Sequence, residues 1–316
     1  MPVMNRLVAL VLLTPLLLAA ELRLGIIGTD TSHVIAFTKS FNGPAGPDKV
    51  EGARVVAAFK GGSEDVESSY TRVDKYAEQL QKEWNVELVA DIASLCSKVD
   101  AILLESVDGR KHLPQFREAV RCGKPVFIDK PLAATLEDAR EIARLARQHN
   151  IKWFSSSSLR WSEHVLATKA ADATGVITWG PGPYEPHHYL DLSWYAIHPI
   201  EMLYALMGPG CEEVTRVSTD SADVVVGRWK GGRIGAVRAQ RAGYNYGAVV
   251  FRPKAVNVSP PEAKSSYTPL LREIVKFFET GTPPVPNEET LELFAFMDAA
   301  QKSKEQGGRP VRLRLE

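Results

Sequence analysis

Residues 22–33 read LRLGIIGTDTSH. The run Leu22–Ile27 has the continuous apolar character of a strand buried on both faces, and helical spacing begins at Thr31 and continues to Phe41. A strand that turns tightly into a helix at a glycine is the frame of a dinucleotide-binding fold, whose turn reads G-x-G-x-x-G. Gly28 holds the first glycine position, while Asp30 and His33 stand in the second and third. The second glycine normally lets the backbone approach a diphosphate, and the third lets the helix pack closely on its strand. Asp30 puts a carboxylate where that anion would sit, at a cost on the order of several kcal/mol in a partly desolvated site. Thr31 and Ser32 act the other way, because hydroxyls and free N–H groups at a helix start favour anions. Gly28, Thr29, Asp30, Thr31, Ser32 and His33 are therefore the candidate cofactor loop. The competing reading is a helix cap that binds nothing.

Outward from this stretch, strands and helices alternate. After the turn-rich Asn42–Gly52, ARVVAAFK (Ala53–Lys60) reads as a strand, and helical spacing runs over Val66–Trp84. VELVAD (Val86–Asp91) is short and extended, IASLCSKV (Ile92–Val99) helical, and DAILLES (Asp100–Ser106) a continuous apolar strand. His112–Gly123 is a helix ended by its glycine, PVFID (Pro125–Asp129) a strand, and Thr135–Asn150 an amphipathic helix. This alternation predicts an α/β fold with a Rossmann-like, doubly wound parallel sheet, ligands lying at the carboxyl ends of its strands. Beyond IKWFSSSS (Ile151–Ser158) the character changes. A Gly/Pro-rich patch (Gly180–Pro186) precedes an aromatic, histidine-rich helix over Leu190–Met207. Four short β runs follow, at Val214–Thr219, Ala222–Trp229, Arg233–Gln240 and Gly247–Phe251, then helices over Tyr267–Glu279 and Glu288–Gln306 and a strand over Val311–Leu315. These predict a C-terminal α+β domain with a mainly antiparallel open sheet. With the boundary at Pro131, the expected domains are 21–131 for the dinucleotide and 132–316 for substrate and dimerisation.

The 38 basic and 38 acidic residues cancel, so nothing points to nucleic acid or an anionic membrane as a partner. Residues 1–20 stand apart. One positive charge, the apolar run Leu7–Ala20 and its Ala-Ala ending resemble a secretory signal peptide, too short for a span of about 20 residues. The expectation is removal of this segment, a periplasmic or secreted protein, and no stable membrane span afterwards. Cys96, Cys122 and Cys211 are odd in number and widely spaced, which fits buried thiols better than a disulfide framework. At the end of the second strand, Lys60 replaces the acidic residue that would meet a ribose hydroxyl. A lysine there suits a 2′-phosphate, which favours NADP over NAD; it is also a common solvated strand end.

GKPVFIDKPLAATLEDA (Gly123–Ala139) carries the most specific signal. Here the chain resembles the Gfo/Idh/MocA oxidoreductase family, whose members show E-K-P after a strand and before a long helix. Asp129-Lys130-Pro131 matches with Asp for Glu, and His112 matches the loop histidine of the preceding strand–loop–helix. The resemblance implies an NAD(P) cofactor touched by Ser106, His112, Asp129 and Lys130, with Lys130 transferring a proton. It also implies a helix reading D-x-G-x-H-x-x-D, matched by WYAIHPIE (Trp194–Glu201). His198 keeps the histidine as a second catalytic residue. Trp194 replaces the first aspartate, Ala196 the glycine, and Glu201 the last aspartate. Arg160 matches the family's basic residue after the domain-crossing strand, so Arg160, Trp194 and His198 are the expected substrate contacts. A homodimer is implied as well.

A rival reading gathers His187, His188, Asp191 and His198 as metal ligands, but their spacing matches no known ligand pattern and no metal is expected. Three functions stay open. The first is an NAD(P)-dependent oxidoreductase acting on a sugar, polyol or related hydroxy compound. The second is a secreted carbohydrate-binding or regulatory protein that keeps the fold without redox chemistry. The third is a hydrolase or lyase on a sugar derivative.

Overall fold

Six short parallel strands build the first sheet: β1 (Leu22–Ile27), β2 (Ala53–Phe59), β3 (Glu87–Val89), β4 (Ala101–Leu104), β5 (Val126–Asp129) and β6 (Trp153–Ser156). Their order is β3-β2-β1-β4-β5-β6, so the winding reverses between β1 and β4, where open α/β sheets bind ligands. The computed structural model describes residues 21–243, 245–260 and 266–315; the expected signal segment, residues 1–20, lies outside them. Strand cores are apolar on both faces because helices cover both sides: α1 (Ser32–Asn42), α2 (Glu67–Tyr70), α3 (Val73–Trp84), α4 (Ile92–Cys96), α5 (Gly109–Ala119) and α6 (Leu136–Gln148).

Three expectations need correction here. The first sheet does not stop at Pro131: α6 and β6 continue it to Ser156, because β6 pairs in parallel with β5 from Val126↔Trp153 to Asp129↔Ser156. The helical stretch 66–84 is two helices, interrupted between Tyr70 and Val73. Cys96 and Cys122 form a disulfide, leaving Cys211 as a buried thiol. Their Cα atoms stand 5.0 Å apart at the ends of neighbouring helical segments, a proximity that 26 residues of separation conceal.

The second sheet has seven strands in the order β12-β11-β7-β10-β9-β8-β13. After α7 (Glu163–Leu166) come β7 (Gly175–Pro181), α8 (Ile197–Met207), β8 (Cys211–Ser218), β9 (Ala222–Trp229), β10 (Ile234–Gln240), β11 (Gly247–Arg252) and β12 (Ala255–Val258). Then follow α9 (Thr268–Thr280), α10 (Asn287–Glu305) and β13 (Val311–Arg312). All neighbours are antiparallel except β7 and β10. Strand β7 hides in the sequence because it runs into the Gly/Pro-rich patch. Every residue of α8 is buried, since it lies between this sheet on one side and the segment 158–166 and α10 on the other. Helix α9 returns to the first lobe, where Leu271, Ile274 and Phe277 pack with Leu24, Phe37 and Phe154. Among the described residues no helix is long and apolar enough to cross a membrane.

Candidate active site

The turn after β1 is built for tightness. Gly28 takes a φ of +92°, and a Cβ there would lie 2.2 Å from Ser106 Oγ, so only glycine fits. The next residues turn inward. Thr29 Oγ1 lies near the carbonyls of Lys60 and Val73. Asp30 is fully buried: Oδ1 accepts from the Val107 N–H at 3.0 Å and Oδ2 from the Ser69 hydroxyl at 2.6 Å. Burial raises its pKa against the pull of these hydrogen bonds.

The segment 61–72 forms the cover. A Cβ on Gly61 would lie 3.2 Å from Gly28 Cα; Ser63 Oγ donates to Asp108 at 2.7 Å, and α2 supplies Ser69. Gly28, Thr29 and Asp30 thus present no surface to a ligand, which corrects their expected cofactor contacts. The carboxylate that would repel a diphosphate is instead the pin that fastens this cover.

A cleft of about 400 Å³ opens between the lobes beside the start of α1. Thr31, Ser32, His33 and Lys130 line it from the first lobe, and Trp194 and His198 from the second. Thr31 caps α1, its hydroxyl accepting from the His33 N–H at 3.4 Å. His33 fills the third-glycine slot with a ring held on two sides. Nδ1 lies 2.6 Å from Asp129 Oδ2, and the ring stacks on Phe37 and meets Tyr267 edge-on.

Asp129 stands at the end of β5. Burial pushes its pKa up, but His33 and then Lys130 outweigh this, so it lies below the usual range. His33 engages only Oδ2, and the buried Oδ1 has no hydrogen-bond partner; Lys130, the next residue, has no ion-pair partner among the described residues. Its ammonium sits 5.9 Å from the Tyr195 ring centroid. Burial lowers the pKa of Lys130 while Asp129 opposes the shift. His198 Nδ1 is 2.6 Å from the Ser157 hydroxyl. Burial, followed by the charges of Lys130 and His33, holds its pKa well below the ordinary value, so this imidazole is neutral at pH 7.

A residue that sequence reasoning missed lies behind this group. Glu105, just past β4, is fully buried and neither carboxyl oxygen has a hydrogen-bond partner. Burial and the Asp129 charge push its pKa well up. The only signal was a glutamate closing an otherwise apolar strand.

The donors that do face the cleft suit an anion. The first turn of α1 contributes Thr31 and Ser32, Arg72 stands on the same wall, and the buried Ser68 hydroxyl has no partner. A nicotinamide dinucleotide would find its anion donors at the helix start and Arg72, not over the sealed glycine turn.

Residues 22–156 match the Gfo/Idh/MocA family model, described as an oxidoreductase family with an NAD-binding Rossmann fold. Over this lobe the chain is thus similar to the Gfo/Idh/MocA family. Over 91 residues it is 38% identical to the 1,5-anhydro-D-fructose reductase of Ensifer adhaerens, a stretch covering 29% of this chain and 26% of that protein. An oxidoreductase of Salmonella typhimurium is 32% identical over 73 residues, covering 23% of this chain and 24% of that protein. The matches thus span about a quarter of the length of these curated relatives. The Lactobacillus casei myo-inositol dehydrogenase, solved with NAD(H) and myo-inositol, superposes with a TM-score of 0.72 at 17% identity, covering 93% of this chain and 97% of that one. The scyllo-inositol dehydrogenase of the same organism, solved with NAD(H) and scyllo-inositol, gives 0.74 at 15%, covering 93% and 99%. At such identities the likeness is one of fold.

Other residues singled out by the Gfo/Idh/MocA pattern lie away from the cleft. His112 is fully buried, Nε2 at 2.7 Å from the Ser106 carbonyl and Nδ1 at 3.2 Å from that of Leu132, so it clamps two loops together. Burial lowers its pKa. Ser106 donates to Gln115 at 2.9 Å behind Gly28. Neither His112 nor Ser106 is placed to touch a cofactor. Arg160, expected on substrate, is buried between Glu201 and Glu289, the latter at 2.7 Å. The Glu201 that stands for the family's last aspartate draws it inward. Lys60 is half-exposed and paired with Asp74 of α3, so its ammonium does not stand free for a 2′-phosphate. The four rival metal ligands have separate partners: His187 meets Glu185, His188 meets Asp108 at 3.0 Å, Asp191 meets Arg216, and His198 meets Ser157.

Proposed function

We propose that the protein is an NAD(P)-dependent oxidoreductase acting on a sugar, polyol or related hydroxy compound in the cleft between its lobes. The observation that carries this reading is the meeting of Lys130 and His198, from different lobes, on one cleft beside the start of α1. When bound, the nicotinamide supplies the hydride-accepting or hydride-donating ring. The chain's own residues do the rest. Thr31, Ser32 and Arg72 bind anionic oxygens. Trp194 offers an apolar face to a ring carbon skeleton. Lys130, desolvated and without an ion-pair partner, donates a hydrogen bond to the reacting oxygen or exchanges its proton. His198, neutral and fixed by Ser157, orients a second hydroxyl.

The test is calorimetry of the chain against NAD(H) and NADP(H), followed by turnover assays with inositols and hexoses. Micromolar binding and turnover lost by about 10²-fold or more in a folded Lys130→Ala variant are expected. A second reading rests on one observation, the burial of Gly28–Asp30: a carbohydrate-binding protein without redox chemistry. Binding of polyols with none of the four dinucleotides would select it.

Two further points are proposals. Export, after removal of residues 1–20, suits the Cys96–Cys122 disulfide, since such bonds persist in oxidising compartments. A second copy is the proposed occupant of the open face of the seven-stranded sheet. There the cross-strand row Val226, Ile177, Val249 and Val258, with Ile234 and Val256, leaves apolar side chains at the surface. Sedimentation equilibrium checks this.

A further inference from the structure

Besides Arg72, three basic nitrogen groups face the cleft, and they differ in what stands behind them. Lys130 has no carboxylate in ion-pair range. His198 is backed by the neutral Ser157 hydroxyl. Only His33 has a carboxylate within hydrogen-bond distance, Asp129 Oδ2 at 2.6 Å from Nδ1. With Nδ1–H donated to Asp129, the other nitrogen, Nε2, carries the lone pair in the neutral ring. It has no hydrogen-bond partner among the described residues, and His33 lines the cleft. The ring cannot swing away, because Phe37 stacks on it at 5.2 Å and Tyr267 meets it at 5.0 Å. An oriented imidazole with an anion behind it is the arrangement that stabilises an imidazolium once a proton arrives.

We propose that His33, held by Asp129, is a catalytic proton-exchanging residue of the cleft, so that the side chain in the third-glycine slot has been turned to substrate chemistry. The proposal rests on the oxidoreductase reading for the fate of the hydride. In the oxidising direction the substrate O–H bond breaks and its proton goes to His33 Nε2. The electron pair left on oxygen forms the carbonyl as the carbon's hydride goes to the nicotinamide. In the reducing direction His33 returns the proton. Asp129 is a positioning residue, acting through His33. The groups facing this dyad are Lys130 beside Asp129, His198 from α8, Tyr267 ahead of α9, and Glu105 behind Asp129.

Two readouts test it on the full chain, with His33→Asn and Asp129→Asn. Without cofactor, nitrogen NMR of histidine-labelled protein reads the tautomer of His33, its signals assigned by their loss in His33→Asn. The wild type is expected to hold the proton on Nδ1 with Nε2 bare, and Asp129→Asn to lose that preference. With NAD⁺ and myo-inositol or D-glucose, His33→Asn is expected to lower kcat about a hundredfold with little change in KM. A tautomer indifferent to Asp129→Asn, or wild-type kcat in His33→Asn, overturns the proposal. No dinucleotide binding and no turnover by the wild type would instead overturn the oxidoreductase reading, and the tautomer would still decide whether the dyad exists.

Discussion

Lys130 shows what the site costs the fold. Its amine is nearly buried, has no ion-pair partner among the described residues, and has a folded pKa below that of the unfolded chain. Between those two values the unfolded state binds more protons, so stability rises with pH across that window. Below the folded value the penalty is fully present, and above the unfolded value, about 10.4, it is gone. Lys130→Met is therefore expected to stabilise the protein by about 1 kcal/mol at pH 7, and by nothing measurable from this source above pH 11, while abolishing turnover. Urea unfolding at the two pH values measures it. Both Lys130 and His198 could be picked from the sequence, because D-K-P and WYAIHPIE are local patterns, and both reach the cleft. Asp30 could not be understood that way. Its meaning depends on Ser69 and Val107, partners 39 and 77 residues distant, so a carboxylate that reads as hostile to phosphate proves to be a fastening.

At the scale of elements, the cover over the turn after β1 is the main departure from what a strand–turn–helix frame implies. It is fixed by Ser69–Asp30, Ser63–Asp108 and Asp65–Arg110, and Asp108 is itself tied to His188 of the other lobe. Asp30→Gly removes one fastening and restores the second glycine. If the cover limits access, this variant should bind NAD(H) roughly tenfold more tightly, about 1.4 kcal/mol, at some loss of thermal stability. Calorimetry and a melting curve of the same sample read both. Unchanged affinity would mean that the anion is held wholly by the start of α1 and Arg72. Most elements were legible because period and flanking turn residues agree, as in Leu22–Ile27 and the long helices. The strand β7 was not, because its last residues are Gly-Pro and its two partners, β10 and β11, lie far along the chain, where no local pattern reveals them.

Over the whole molecule, the two lobes were readable as a switch from alternating to consecutive strands, but the way they are sewn together was not. The chain leaves the first sheet at Ser156, builds the second, and comes back as α9 to cover Leu24, Phe37 and Phe154. Contacts of this sequence separation carry no periodic signature. They also bear on how the cleft can work. Linked by both β6 and α9, the lobes have little freedom to swing as a simple two-body hinge, so admission of a ligand falls to small local parts such as the cover over the turn. The return of α9 has one more consequence, for ancestry and engineering alike. The family-matched portion, residues 22–156, does not carry its whole core: released alone, it would lose the helix that packs on one side of its sheet. A graft of this lobe onto another catalytic partner must bring residues 268–280 along, or supply an apolar substitute for them.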